Sequence, residues 1–173
     1  IAQDACGDDE ATATARNAAG DKVRADFAVY GTTKSLDEKG KMIDNAKAFL
    51  DKYQACAQTK DLLDYLKQYV PGMETALKAA RLQAEKDAVV KPFTGALDAK
   101  KWDEAMAAGK KVLEKYPEDY RSVEIALAAL AGEEATMKSN FKYAEDGIRY
   151  GKLSIADIEA GKSFVVDKKT LYG

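Results

Sequence analysis

The sequence predicts an all-α chain of stacked antiparallel helical hairpins, and three observations carry that prediction. Ala, Leu, Lys and Glu, the strong helix formers, dominate the composition, while only 3 residues in 173 are proline. Val and Ile never alternate with polar residues over a run long enough to make a half-buried strand. Apolar residues recur instead three and four apart, in segments divided by prolines and by Gly-Thr or Gly-Glu breaks. With 46% hydrophobic residues the chain has enough apolar mass for a single domain spanning 1–173.

Asp8, Asp9 and Glu10 open a first helix, where carboxylates complement the exposed amides of the first turn. Three adjacent acids fan out around a helix, so this triplet is read as capping rather than as a metal site. The helix continues through Val23, Phe27 and Tyr30 and breaks at Gly31-Thr32-Thr33; Gly20, in mid-pattern, suggests a close helix crossing. Ser35 with Glu38 forms a capping box for a second helix, apolar at Met42, Ile43, Ala46, Phe49, Leu50 and Tyr53. Together these helices make a hairpin over 8–54. A long helical stretch follows from Thr59 to about Val90, and Pro71 must kink or divide it, with a second bend at Pro92. Residues 59–98 are therefore expected to form a second hairpin.

Trp102 opens a charged helix with small residues at Ala105, Ala108 and Gly109 and an apolar row at Met106, Val112, Leu113 and Tyr116. Pro117 stops it. Trp102, Ala105, Gly109, Val112, Tyr116 and Pro117 are the candidate helix-packing residues. A new helix near Asp119, with Val123, Ala126, Leu127 and Leu130 inward, completes a hairpin over 101–132. Residues 131–140 are expected to be a turn region. A final hairpin over 141–161 begins with a small-residue helix through 153, in contact at Ala144, Ile148 and Gly151. Ser154 then caps a short helix ending at Gly161 in a C′ position. Residues 162–173 read as an irregular tail. Phe164, Val165, Val166, Leu171 and Tyr172 are large apolar or aromatic side chains on it without an obvious partner, and so are candidate interface residues.

Cys6 and Cys56 are the only cysteines. They are either two separate packed thiols or a disulfide. If the first two helices run antiparallel, the pair lies just outside two neighbouring ends, within the Cα separation of ~4.4–6.8 Å that a bridge needs. A bridge implies an oxidising compartment. The opening Ile-Ala-Gln is similar to the region that follows a removed signal peptide, which points the same way: secreted, periplasmic or on the cell surface.

Laying Gln54 over Pro117 brings NAKAFLDKYQ onto AGKKVLEKYP, so that Ala46 meets Gly109, Leu50 meets Leu113 and Tyr53 meets Tyr116. Hairpins repeated in this way, with small residues at helix contacts and a terminal proline, resemble the tetratricopeptide repeat. With the family's last proline on Pro117, its small-residue position falls on Ala105, its second-helix aromatic on Gly109 and its later alanine on Val112. The first-helix positions fall on Val89, Pro92, Phe93 and Ala96, where the pattern departs. DEAMAAGKKVLEKYPED carries the likeness best, and about half the chain shares it, as in divergent secreted bacterial members. The resemblance implies an α-solenoid that binds other proteins or its own copies without catalysis.

A net charge of −2 with interspersed signs gives no footprint for nucleic acid, and no apolar run approaches the ~18–20 residues of a membrane span. Histidine is absent, which removes His-based triads and His-ligated zinc. Gly161-Lys162-Ser163 brushes the phosphate-loop pattern, but Ala156 stands where the first glycine belongs. No catalytic, cofactor-binding or metal-ligating residue is expected. Tyr53, Tyr65, Tyr69, Trp102, Tyr116, Tyr120, Tyr143 and Tyr150 fall mostly at helical spacing. They are read as packing between hairpins, with a tyrosine-lined groove as the alternative for those left exposed. The expected function is a non-catalytic extracytoplasmic scaffold for protein interaction or assembly. One alternative is a filament subunit associating head to tail through 162–173. Another is a hydrolase with a carboxylate site.

Overall fold

The computed structural model describes residues 5–162. Among the described residues there are six α-helices and no strand: α1 (Glu10–Tyr30), α2 (Leu36–Tyr53), α3 (Lys60–Asp98), α4 (Trp102–Lys115), α5 (Ser122–Lys138) and α6 (Ala144–Glu159). Packing divides the chain after Gln83 into two compact units, to each of which α3 contributes.

In the first unit Asp9 caps α1, accepting from the Thr12 N–H at 2.9 Å, and Ser35 caps α2, accepting from the Glu38 N–H at 3.2 Å. The Thr32 and Thr33 hydroxyls donate to the carbonyl of Val29 at 3.0 and 2.9 Å and satisfy the end of α1. The short connection makes α1 and α2 an antiparallel pair, and the N-terminal part of α3 closes their apolar faces. Val23, Ile43, Ala46, Phe49, Leu63, Leu66 and Val70 form the core. Leu66 is fully buried, worth roughly 1.5–3 kcal/mol relative to exposure.

The Cys6 and Cys56 sulfurs lie at bonding distance, with Cα atoms 5.0 Å apart. The segment before α1 is held from two further sides. Gln58 Nε2 donates to Asp8 Oδ1 at 2.9 Å, and the buried Arg16 guanidinium donates to the Gly7 carbonyl at 3.0 Å. Gly20 is not needed for the crossing: a Cβ there would meet Arg24, Leu62 and Phe49 at 3.4–3.6 Å, ordinary contact distances.

Residues 59–98 are not a hairpin. After a single 3-10 turn at Ala57–Thr59, α3 runs unbroken for 39 residues. Pro71 and Pro92 both occupy exposed positions, so the acceptor left by each missing N–H can be hydrated instead of orphaned. The apolar stripe continues across Pro71 through Leu66, Val70 and Leu77, and its burial outweighs one lost hydrogen bond.

The second unit comprises α3 from Ala84, α4, α5 and α6, around Phe93, Ala105, Met106, Val112, Val123, Leu127, Leu130 and Tyr150. α3 ends in a Schellman turn: Lys100, at φ 55°, donates from its N–H to Leu97 O and Lys101 to Ala96 O. The α4–α5 hairpin is closer than ordinary side chains allow, because Gly109 lies under Leu127 and Phe93. α5 does not end near 131. It continues through Lys138, its last turns held by the buried Ala131 and by Glu134, which accepts from Asn140 Nδ2 at 2.8 Å.

Residues 141–161 form one helix rather than a hairpin. Ser154 is buried inside α6 and caps nothing; a continuous α5 presents one long face, and an unbroken helix covers it best. The contact uses Gly147, whose added Cβ would lie 2.8 Å from Ala131 Cβ, and Gly151, facing Ala128 Cβ at 3.9 Å. Ile148, expected at this contact, is 60% exposed. Small residues on both helices let the axes approach, and a branched side chain is turned outward. Gly161 does sit at C′ with φ 67°, its N–H donating to Ile158 O and that of Lys162 to Asp157 O.

Candidate interaction surface

In the first unit, α1 and α3 enclose a cleft of about 460 Å³ lined by Val23, Arg24, Phe27, Ala28, Asp61, Leu62 and Tyr65. The local sequence explains it. On α3 the residues facing the core are Leu62, Leu63, Leu66 and Val70, and Tyr65 and Tyr69 lie beside that stripe. An apolar stripe wider than its partner helices can cover leaves its margin in water. Phe27 on α1 meets Tyr65 edge-on at 5.8 Å between ring centroids, and Tyr65 lies 4.5 Å from Tyr69. Tyr30 extends the row at 6.5 Å from Phe27, with the Lys39 ammonium over its ring at 5.0 Å. Tyr65 and Tyr69 are 46% and 45% exposed, and Val29 is similarly open. The rim holds one charge of each sign, Arg24 from α1 and Asp61 from α3. Arg24 also pairs with Asp21 at 3.0 Å. Exposed tyrosines beside an apolar floor are the side chains that anchor protein interfaces, since each offers large area at small entropic cost.

The second unit has two apolar features of its own. Val89, Pro92, Ala107 and Ala108 floor a groove of about 800 Å³ between α3 and α4, rimmed by Glu104, Lys111, Glu114 and Lys115. Met137 and Phe141 near the end of α5, with Ile148 and Ile155 on the outer face of α6, are exposed.

The titratable groups are mostly surface ion pairs. Glu85 accepts from Lys115 Nζ at 2.6 Å and from the Tyr116 hydroxyl at 3.1 Å, and these donors hold its carboxyl below the usual range. Glu124 is the exception: burial, and secondarily the charge of Asp157, pushes its carboxyl up, against a smaller opposing pull from Arg121. Arg121 Nε is committed to Asp157 Oδ2 at 2.7 Å, leaving Glu124 Oε2 buried without a partner among the described residues. Glu124 lines a cleft of about 480 Å³ with Lys110, Leu113, Arg149, Tyr150 and Leu153. Among the described residues no cluster of three or more acids, cysteines or histidines is placed to hold a metal ion, and no helix is long and apolar enough to cross a membrane.

Of the helix-packing candidates, Ala105, Gly109 and Val112 are buried at the α4 contacts. Trp102 and Tyr116 are half-buried, each with a lysine ammonium over its ring: Lys138 at 5.4 Å and Lys115 at 5.3 Å. Pro117 is exposed just after α4. Phe164, Val165, Val166, Leu171 and Tyr172 lie outside the described residues. Tyr65 and Tyr69 belong to the tyrosines for which the sequence leaves a groove as the alternative, and they are the exposed ones; Phe27, read from sequence only as part of the apolar face of α1, completes the row. Tyr65 and Tyr69 carry a signal, at four-residue spacing beside a leucine stripe, but spacing does not say which edge of the stripe is left uncovered. Comparison of the chain with protein families, with curated proteins and with solved structures gives no match.

Proposed function

We propose that this chain is a non-catalytic helical-repeat protein, tetratricopeptide-repeat-like in its α4–α5 hairpin, that acts outside the cytoplasm as a protein-interaction or assembly scaffold. The observation that carries this reading is the aromatic row at the apolar α1–α3 cleft, half-buried Phe27 with exposed Tyr65 and Tyr69. Such a row is costly to leave in water and gains most when a protein surface covers it. The Cys6–Cys56 pair supports the compartment, because a disulfide persists where thiols are not kept reduced. The absence of histidine supports the non-catalytic part.

The test is site-specific cross-linking in the source cells, with a photoreactive side chain in place of Tyr69. Light-dependent protein adducts at Tyr69, absent when the label stands at exposed Lys22, are the expected result. Adducts to lipid or glycan alone, or none, overturn the reading.

A further inference from the structure

We infer that the α1–α3 cleft of one copy receives residues 163–173 of a second copy, so that the chain assembles head to tail. This rests on the scaffold reading above and names its partner. Two features of the cleft select the occupant. Its floor, Val23, Phe27, Ala28, Leu62 and Tyr65, is apolar and partly aromatic. Its rim is asymmetric, with a guanidinium on the α1 side and a carboxylate on the α3 side.

The segment after α6 reads Ser163-Phe-Val-Val-Asp-Lys-Lys-Thr-Leu-Tyr-Gly. Its three consecutive apolar residues match the floor, and Asp167 followed by Lys168 supplies the two charges that the rim lacks. The apolar run is matched to the floor and the two charges to the rim, Asp167 with Arg24 and Lys168 with Asp61.

Each copy carries one donor segment and one acceptor cleft at different places on its surface. A contact between unlike surfaces propagates unless its rotation closes a ring. Two other apolar surfaces are exposed. The α3–α4 groove carries its charged residues, Glu104, Lys111, Glu114 and Lys115, all on α4 and has no aromatic side chain on its floor. The α6 face carries Ile148 and Ile155, flanked by Arg149 and Lys152. Neither sets an acid opposite a base across an apolar floor, and the α6 face is the comparison surface in the test.

The experiment uses three proteins followed by light scattering and sedimentation, with circular dichroism to verify folding: the full chain, a chain ending at Lys162, and Tyr65→Lys. The full chain is expected to form a concentration-dependent series of species. Each altered chain alone stays monomeric, the first for want of the donor and the second for want of the acceptor. Mixed in equal amounts, the two form a heterodimer and nothing larger. Arg24→Asp, at an exposed position, is expected to weaken assembly about tenfold, and adding Asp167→Arg restores it. Assembly by the chain ending at Lys162, or a mixture that stays monomeric while the full chain assembles, overturns the inference and leaves the scaffold reading to its cross-links. A monomeric full chain whose free 162–173 peptide binds the shortened chain also overturns it, in favour of docking within one copy. Peptide binding lost in Ile148→Lys but kept in Tyr65→Lys overturns it in favour of α6.

Discussion

The same substitution, glycine to alanine in a buried helical position, is expected to have opposite signs at Gly109 and Gly20. At Gly109 the new methyl would lie 2.7 Å from Leu127 Cδ2 and 3.0 and 3.1 Å from Phe93 Cε2 and Cδ2. The first distance is about 0.8 Å inside ordinary carbon–carbon contact. Leu127 is 0% exposed and Phe93 4%, so neither side chain can swing out into water. Overpacking of this kind costs roughly 1–3 kcal/mol, against which alanine recovers about 1 kcal/mol of helix propensity. The net is a loss of up to about 2 kcal/mol. At Gly20 the nearest atom is the mobile end of Arg24 at 3.4 Å, and nothing must move. The propensity gain stands alone there, a stabilisation of about 0.5–1 kcal/mol. Urea unfolding followed by far-UV circular dichroism reads both, provided that the slope is unchanged. A Gly109→Ala protein stabilised by about 0.5–1 kcal/mol, as Gly20→Ala is expected to be, with its slope intact, would refute the close α4–α5 contact.

Breaking the Cys6–Cys56 pair with reductant, or with Cys6→Ser and Cys56→Ser together, removes a cross-link of sequence separation 50, worth about 4 kcal/mol in the chain-entropy model. The expected result is a lower unfolding midpoint under reductant in the parent and no response in the double variant; an unresponsive parent would contradict the bridge. Glu124→Gln tests the buried carboxyl. Because its folded value is raised, the folded state holds this proton more tightly than the unfolded one, and stability falls as pH rises through the carboxylate range towards that raised value. The variant escapes the loss. It should match the parent at about pH 3 and exceed it in unfolding midpoint at about pH 7. A parent and variant with parallel pH profiles would show that Glu124 is solvated in the folded chain.

Caps whose chemistry reaches only three residues were readable in advance: Asp9 and Ser35 at helix starts, and Gly161 at the end of α6. The α1–α2 hairpin, and with it the closeness of Cys6 and Cys56 that a bridge needs, followed from the break at 31–35, since a short connection makes neighbours antiparallel. Helix itself was readable because the apolar spacing repeats over many turns. In each case the deciding partners are close in the chain.

The misread elements share another property: their outcome depends on what packs against them. A proline inside a helix costs a hydrogen bond and a ring clash with the carbonyl four residues back, about 3 kcal/mol. Exposure at Pro71 and Pro92 spares only the added cost of a buried orphan carbonyl, and tertiary packing of the apolar stripe offsets the rest. Lys100 and Ser139 adopt left-handed backbone without being glycine or asparagine, a strain of about 1 kcal/mol each that the flanking helix packing over-determines. Ser154 is as good an N-cap as Ser35 by type, yet a continuous α5 face draws it inside α6. Gly147 rather than Ile148 touches α5 because closeness of two axes is a property of the pair, not of either helix. The aromatic cleft has the same origin. Composition supplies tyrosines at helical spacing, but only the packing of α1 and α2 on α3 determines that Tyr65 and Tyr69 remain at the margin of the core, open to a partner.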